Sequence, residues 1–424
     1  MVDELVVETV ATFLRFADRI ASVPDESVVA CDEHRALARE AAVSSMVLLD
    51  NGRGLLPADP SSLGRVAVLG RLAAVANLGD QGSSNVLAPE VVTPLDGLRA
   101  ALPEIEVVHA DDDASLADGA DLVVVVVGYT KADEGEYIDQ AGMAPLMSLF
   151  PPIDHPELGL ATEEERNAAV MAMAGGGGEE ASGVPAEQTF SEPGGDRRSL
   201  RLRAEDEALI EDACAHSDRV VVAVMGGSAV VAPWLGVPAA TLLIWYPGME
   251  GGHALADVLV GRAEPGGRLP FTMAASEDDL VDFDPDATTA TYGLLHGQWK
   301  LDADGVEATR PFGSGLGYTT FRVDDARLAE REPTIGRGPA LAVDVANTGN
   351  RGGSTVVQVY ASVPDSAYER PPRRLRGIPE GAPRRRRGRR GRRAPRPRPA
   401  RGPGLGPLGR RGRPGDPPRG PARP

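Results

Sequence analysis

The amino-acid chain has 424 residues, of which 44 are basic and 62 are acidic, and its formal net charge is −18. Residues 381–424 hold 16 of the basic residues and one of the acidic residues, so the preceding part carries a net charge of −33. A body this acidic repels phosphate groups, which argues against a nucleic-acid partner for it. The basic tail could be a nucleic-acid-binding arm, but it has no aromatic residues for base stacking and the acidic body would compete for it. The length is that of two or three domains.

The cysteines, the histidines and the N-terminus exclude further classes of protein. Cys31 and Cys214 lie far apart without CxxC spacing, so neither a zinc site nor a disulfide framework is predicted. The six histidines have no ligand-like spacing and the acidic residues form no calcium-binding loop, so we expect no metal and no cofactor. Asp3 and Glu4 stand where a secretory signal has basic residues, and no apolar run approaches the roughly 20 residues of a membrane span. The sequence therefore predicts a cytoplasmic protein without a membrane partner.

Helical and strand-like patterns alternate along most of the chain. Apolar residues at helical spacing predict an amphipathic helix over residues 4–20, and a second helical pattern covers residues 33–49, before the turn signal Asp50-Asn51-Gly52. Strand-like apolar runs follow at residues 66–69, 105–108, 122–127, 220–224, 240–245 and 268–272. Helix-forming stretches lie between most of them, at residues 93–102, 204–215 and 252–259. This alternation predicts a doubly wound α/β sheet.

The strand predicted at residues 122–127 leads directly into an acidic loop. Its five consecutive valines are too few for a membrane span and too apolar for an exposed strand, which predicts a central parallel strand buried on both faces. In such sheets the ligand lies beyond the carboxyl ends of the strands, where Asp133, Glu134, Gly135 and Glu136 follow. Their carboxylates are therefore candidates for general acid or base catalysis, and the alternative is a solvated acidic turn.

Three further segments depart from the strand–helix alternation. Residues 139–195 are rich in Pro, Gly, Met and Ala, which predicts a long insertion that either folds over a site as a lid or is disordered. From residue 340 the apolar residues recur with a period of two, which predicts antiparallel strands of a β-sandwich. From residue 383 the sequence is Arg, Pro and Gly with almost no apolar residue, and it predicts a disordered tail because it cannot bury a core.

Short motifs between residues 36 and 376 occur in the order that one known family shows. They include Leu55-Leu-Pro57, Gly82-Ser83-Ser84, Thr93-Pro-Leu-Asp-Gly97, Trp245-Tyr-Pro-Gly-Met-Glu-Gly-Gly252, Pro265-Gly-Gly-Arg-Leu-Pro270 and Pro311-Phe-Gly-Ser-Gly-Leu-Gly-Tyr-Thr319. Together they resemble the C-terminal half of family 3 glycoside hydrolases, the β-glucosidase and β-xylosidase group. That family has a (β/α)8 barrel, then a six-stranded α/β sandwich and often a fibronectin type III-like domain. The resemblance implies a mostly parallel six-stranded α/β sandwich, an incomplete β-sandwich and a disordered tail.

The resemblance also implies an organisation of the chain into consecutive parts. Residues 1–35 would be a remnant of the barrel's terminal helix with a linker, and residues 36–275 the α/β sandwich domain with the 139–195 insertion. An inter-domain segment would follow at 276–318 and a partial fibronectin type III-like domain at 319–378. The Arg/Pro/Gly tail occupies residues 379–424. The tail replaces strands that the family would have, as a shifted reading frame in GC-rich DNA would do. The alternative is a genuine basic tail.

For catalysis, the resemblance implies retaining hydrolysis, in which one carboxylate attacks the anomeric carbon and a second protonates the leaving oxygen. The family's nucleophile is an aspartate in a Ser-Asp-Trp-like barrel motif, and this chain has no such motif. The family's acid/base loop corresponds to residues 134–136. We favour Glu136 as the acid/base because it follows the glycine, with Glu134 as the alternative. Gly82, Ser83 and Ser84 are either contacts for sugar hydroxyls or an ordinary turn between strand and helix.

The leading hypothesis is therefore the C-terminal portion of a β-glucosidase-like hydrolase. It would act on a carbohydrate substrate when joined to its missing (β/α)8 barrel and would be inactive alone. The alternative is a non-catalytic carbohydrate-binding or scaffolding protein that uses the sandwich domain without a barrel. His253, at the start of a predicted helix, is expected to be a capping or core residue rather than a catalyst.

Overall fold

The computed structural model describes residues 2–20, 25–79, 86, 88–135, 195–284, 286–328 and 340–377. Within these ranges, no helix combines the length and the apolar character needed to cross a lipid bilayer. The chain begins with helices α1, Val2–Arg15, and α2, Ala17–Ile20, where one continuous amphipathic helix was expected.

A six-stranded sheet forms the centre of the described structure. Its strands are β1, Val47–Asp50; β2, Arg65–Leu69; β3, Glu106–Ala110; β4, Leu122–Gly128; β5, Val220–Met225; and β6, Ala240–Leu243. They lie in the order β1-β6-β5-β4-β2-β3. Strands β2 to β6 pair in parallel, and β1 is an antiparallel edge strand. The predicted mostly parallel α/β sheet of six strands is confirmed.

Helices cover both faces of this sheet. The helices of the sheet region are α3, Asp32–Ser45; α4, Pro94–Ala101; α5, Lys131–Glu134; α6, Ala204–His216; and α7, Gly251–Leu259. Leu122, Val124 and Val126 of β4 belong to the core that contains the buried residues of α3, α4 and α7. Val123, Val125 and Val127 belong to the core that contains those of α6. Successive side chains of a strand point to opposite faces, so a valine run can be fully buried only between two such layers.

Glycines allow helices α4 and α7 to pack against each other without intervening side chains. A Cβ atom on Gly97 would lie 2.1 Å from the carbonyl carbon of Gly252, and one on Gly252 would lie 1.9 Å from the carbonyl oxygen of Thr93. No side chain fits at either position. The close contact places the start of α7, and with it the chain after β6, against the sheet.

The prediction of a strand at residues 268–272 is wrong. Leu269 N donates to Ser314 O and Gly313 N donates to Leu269 O, so this segment pairs with a loop and not with the sheet. Pro265, Gly266, Gly267 and Pro270 explain this, because proline lacks a donor and glycine weakens a strand. The sixth strand is β1, which occupies the end of the predicted helix 33–49; its residues 47–49 are buried.

The last described part of the chain contains one short helix and two small antiparallel sheets. The elements are α8, Gln298–Asp304; β7, Phe321–Leu328; β8, Leu341–Asn347; β9, Val359–Ala361; and β10, Arg374–Gly377. Strand β7 pairs with β8 and β9 pairs with β10. The antiparallel strands expected from the period-two pattern are therefore present. The predicted tail, residues 379–424, lies outside the described residues.

Glu264 connects the region after α7 to the segment that precedes β7. Its Oε1 accepts hydrogen bonds from the backbone N–H groups of Tyr318, at 3.1 Å, and Thr319, at 3.4 Å. Its Oε2 is buried and has no hydrogen-bond partner among the described residues. Burial raises the pKa of Glu264, and the backbone hydrogen bonds and the nearby charges of Arg351 and Arg268 oppose this only in part.

We predict that Glu264→Gln makes stability less dependent on pH. Because the pKa of Glu264 is higher in the folded protein than in the unfolded chain, protonation of Glu264 stabilises the fold. This stabilisation is complete below about pH 4.5 and is lost as the pH rises through the folded-state pKa. The thermal midpoint of the variant should therefore exceed that of the wild type by a margin that grows from pH 5 to pH 8. The exposed Glu104→Gln is the control. Parallel pH profiles for the wild type and Glu264→Gln would contradict the prediction.

Candidate functional site

The candidate site lies where strands β4, β5 and β6 end. Strand β4 ends at Gly128, where a Cβ atom would lie 1.9 Å from Met225 O on β5. Thr130 then caps the short helix α5: its side chain accepts a hydrogen bond from Ala132 N, and Asp133 accepts one from Thr130 N at 2.9 Å. This reciprocal cap fixes the first turn of the acidic loop directly beyond the sheet.

The carboxylate of Glu134 is the centre of the site. Its Oε2 accepts hydrogen bonds from Gly227 N, at 2.6 Å, and from the Tyr246 phenol, at 2.7 Å. Its Oε1 accepts one from Ser228 Oγ, at 3.1 Å, and lies 3.0 Å from Nη2 of Arg197. The Glu134 and Arg197 side chains are each 10% exposed. Four groups from three different chain segments thus stabilise one nearly buried carboxylate as an anion.

Arg197 links this carboxylate to the end of β4. Its guanidinium lies over the Tyr129 ring, 4.2 Å from the ring centroid, and also donates to Ala229 O. The Tyr129 phenol in turn donates to Arg201 O at 2.8 Å. Burial raises the pKa of Tyr129 to about 12, so its phenol stays protonated at neutral pH. The cation is therefore held by an ion pair on one side and an aromatic face on the other.

Two glycines after β5 create the space for these contacts. A Cβ atom on Gly226 would lie 2.9 Å from Cδ2 of Tyr129. A Cβ atom on Gly227 would lie 3.3 Å from Cε2 of Tyr246 and 3.4 Å from Oε2 of Glu134. Larger residues here would push the tyrosines and the carboxylate apart.

The chain returns to this site at Gly195. Its N–H donates to Lys131 O at 2.9 Å, and a Cβ atom on it would lie only 1.7 Å from Ala132 O. Two residues later Arg197 pairs with Glu134, and Arg203 pairs with Asp133. The described residues that flank positions 136–194 are thus joined to each other by a backbone hydrogen bond and by ion pairs.

The loop that follows β2 reaches the same edge of the sheet. Asn77 donates to Tyr129 O at 2.8 Å. Gly79 lies against the Tyr246 ring, since a Cβ atom on Gly79 would be 3.6 Å from Cδ2 of Tyr246. The predicted sugar contacts Gly82, Ser83 and Ser84 follow within a few residues but lie outside the described residues, as does Glu136. Of the candidate carboxylates, the structure describes Asp133 and Glu134, and Asp133 pairs with Arg203.

Sequence reasoning missed Tyr246, Arg197 and Ser228 as partners of the acidic loop. Tyr246 stands in one of the family motifs without an assigned role, and Arg197 lies beyond the predicted insertion. The sequence does contain a feature that points to Arg197. It is a basic residue where the chain returns to the sheet, and it can pair with one of the carboxylates that follow β4.

His253 lies apart from these residues, in a cleft of about 460 Å³ lined by α3 and α7. Its Nδ1 is 2.8 Å from Oε2 of Glu250, whose other oxygen pairs with Arg35. Glu250 immediately precedes α7 but makes no side-chain capping hydrogen bond, and the His253 side chain is 30% exposed. His253 is therefore a residue of the cleft wall and neither a cap nor a fully buried core residue, contrary to the expectation from the sequence. Among the described residues no group of three or more His, Cys, Asp or Glu side chains could hold a metal ion.

We predict that Glu134→Gln destabilises the protein. The glutamine keeps the size of the side chain but removes its charge, and with it the counter-ion that the described residues provide for the nearly buried Arg197 guanidinium. The free energy of unfolding should fall by about 2–4 kcal/mol, measured by urea denaturation. The control is Glu106→Gln, because Glu106 is 65% exposed and its nitrogen–oxygen distance to Arg65 is 3.7 Å; that change should cost less than about 1 kcal/mol. Equal losses for the two variants would contradict a special role for Glu134.

Comparisons with known proteins identify the family. A β-glucosidase from Rhizobium radiobacter is 29% identical and is aligned over 84% of this chain and 57% of its own length. The β-glucosidase BoGH3A from Bacteroides ovatus is 27% identical over 81% of this chain and 44% of its own. The crystal structure of a family 3 β-glucosidase from Bifidobacterium adolescentis has a TM-score of 0.61 and 26% identity, and the match covers 82% of this chain and 45% of that one.

The chain thus spans about half the length of the curated relatives that it matches. The model of the glycosyl hydrolase family 3 C-terminal domain matches residues 46–319, which include the whole six-stranded sheet and the described part of the candidate site. The chain belongs to this family, the glycosyl hydrolase family 3 C-terminal domain.

Proposed function

We propose that this chain is the C-terminal portion of a β-glucosidase-like glycoside hydrolase. Joined to a (β/α)8 barrel domain, it would hydrolyse O-glycosyl bonds of a carbohydrate substrate with retention of configuration. Family membership and the names of the two curated β-glucosidases support the class of reaction. The barrel would supply the nucleophilic carboxylate, and this chain the acid/base.

The observation that carries the proposal is the anchoring of Glu134 at the carboxyl edge of the sheet. Ligands of parallel α/β sheets bind at this edge, and four groups fix the last described turn of the acidic loop there. A fixed turn limits where the next carboxylate can lie, and general acid catalysis requires such placement relative to the leaving oxygen. The arrangement thus supplies the rigid base that a catalytic loop needs.

Within the pair of glutamates we propose that Glu136 is the acid/base and that Glu134 is the anchor. A general acid must reach the leaving oxygen, whereas both carboxylate oxygens of Glu134 are already bound to groups of this chain. Glu134 would also have to leave these partners before it could reach a sugar. Glu136 follows it by two positions, beyond Gly135, and in retaining hydrolysis it would protonate the leaving oxygen and later deprotonate the attacking water.

We further propose that Gly82, Ser83 and Ser84 contact the sugar. Support comes from the described residues just before them, because Asn77 and Gly79 lie against Tyr129 and Tyr246 at the same edge of the sheet. Serine hydroxyls and backbone N–H groups are suitable partners for sugar hydroxyls.

We predict that the 424-residue chain alone does not hydrolyse aryl β-glucosides, because one of the two required carboxylates lies on the barrel. Release of nitrophenol from the aryl glucoside measures this, with the Rhizobium radiobacter β-glucosidase as the positive control. Turnover that persists through purification and disappears in Glu136→Gln would contradict the prediction.

We predict that joining a family barrel domain ahead of residue 36 gives a retaining glycosidase that depends on Glu136. In Glu136→Ala, substrates whose leaving group needs protonation should react roughly 10²–10⁴-fold more slowly. Activated dinitrophenyl glycosides should be less affected in their first step, and azide should restore turnover. Rates with both substrate types, and the configuration of the first product, are the measurements.

Glu134→Ala is the matched comparison in the same joined protein. If it shows the selective loss and Glu136→Ala slows both substrates equally, the assignment within the pair is wrong. If neither variant is selective, the acid/base lies elsewhere. A correctly folded joined protein that binds glucose but hydrolyses nothing would favour the non-catalytic carbohydrate-binding alternative.

A further inference from the structure

Trp245 has an unusual backbone conformation at the end of strand β6. Its φ angle is +59°, and it is one of three described non-glycine residues with a positive φ. Such a conformation is unfavourable for a bulky residue and persists only when its surroundings enforce it. The indole Nε1 donates to Ser45 O at 2.8 Å, and the ring makes an edge-to-face contact with Phe271, with centroids 5.7 Å apart.

The reversal at Trp245 determines the position of Tyr246. Strand β6 ends at Leu243, and Ile244 still donates to Val224 O on β5. After the turn at Trp245, the Tyr246 ring lies beside Gly79 and Gly227, and its phenol donates to Glu134 at 2.7 Å. Two elements far apart in sequence, β6 and α5, are thus connected through one hydroxyl group.

The Tyr246 phenol stays protonated at neutral pH and donates its hydrogen bond to Glu134. Burial is the main reason that its pKa is raised, and its hydrogen bond to Glu134 raises it further. Arg197 balances the charge of Glu134 at Oε1, whereas the Tyr246 phenol contacts the other carboxylate oxygen, Oε2. The phenol adds a directional constraint on Oε2, which fixes the orientation of the carboxylate and of the loop that carries it.

We propose that Tyr246, aimed by the left-handed backbone of Trp245, is a positioning residue for the acid/base loop. It acts through Glu134 and sets the direction in which the chain leaves α5 at Gly135. The inference rests on the proposed function for its catalytic consequence, but the positioning itself can be measured without catalysis.

The first test compares Tyr246→Phe with Tyr318→Phe in the 424-residue chain. Tyr318 is the matched control, because its phenol also donates one hydrogen bond, to Val258 O at 2.8 Å, and burial also raises its pKa. Hydrogen exchange by mass spectrometry is followed in peptides spanning residues 129–135 and 225–229. Tyr246→Phe should accelerate exchange in both peptides roughly tenfold, the effect of losing one hydrogen bond to a charged group. Tyr318→Phe should leave them unchanged.

The same Tyr246→Phe substitution made in the Glu134→Gln variant separates positioning from general destabilisation. In Glu134→Gln the carboxylate that the phenol orients is absent, so adding Tyr246→Phe should accelerate exchange of the two peptides clearly less than tenfold. Additive effects, or an unchanged exchange rate in Tyr246→Phe alone, would overturn the proposal.

The kinetic test uses the barrel-joined protein described above. Tyr246→Phe should lower kcat for substrates that need a protonated leaving group at least tenfold more than for dinitrophenyl glycosides, and Tyr318→Phe should leave this ratio unchanged. An equal fall in kcat for both substrate types would show that Tyr246 has only a structural role and would overturn the proposal. If the joined wild type is inactive, the proposed function fails, and the exchange experiment alone decides whether Tyr246 positions the loop.

Discussion

The hydrogen bonds and the ion pair of Glu134 are the interaction on which the candidate site depends. Strands β4, β5 and β6 are consecutive in the sheet. The carboxylate that follows β4 receives donors from the chain after the next two strands: Gly227 and Ser228 after β5, and Tyr246 after β6. Glu134 or Arg197 without its partner would be an unpaired, nearly buried charge, which is unfavourable, so the arrangement is stable only when both side chains and the hydrogen-bond donors to Glu134 are present. This mutual dependence fixes the position of α5 relative to the sheet.

The sheet could be predicted from sequence because its central strands are buried on both faces. The consecutive valines of β4 favour a central strand, because every residue of the run is buried and an exposed strand would leave alternate valines in water. The edge was less predictable. Residues 47–49 follow a true helix without a break in apolar spacing, whereas residues 268–272 are apolar enough for a strand but pair with the loop at Gly313 and Ser314. Whether residues 47–49 and residues 268–272 form strands of the sheet depends on the segments with which they pair, and a local sequence pattern does not contain that information.

The site was predictable in location but not in its contacts. The acidic loop beyond β4 follows from the general geometry of parallel sheets. The role of Glu134 depends on Gly227 and Tyr246, which lie 93 and 112 positions further along the chain, and no spacing rule connects them. The assignment of Glu136 and of residues 82–84 stays a prediction. Trp245 illustrates the same limit, because its positive φ is imposed by Ser45 and Phe271 from other parts of the fold.

The contact between Gly195 and Lys131 has a consequence for how this fold can diversify. Lys131 and Gly195 are held together by a backbone hydrogen bond, so the entropic cost of closing the chain between them grows only slowly with its number of residues, by roughly 0.6 kcal/mol for each doubling. The number of residues between these two positions can therefore change while the strands keep their register, provided that glycine is kept at position 195, where any side chain would collide with the backbone of Ala132.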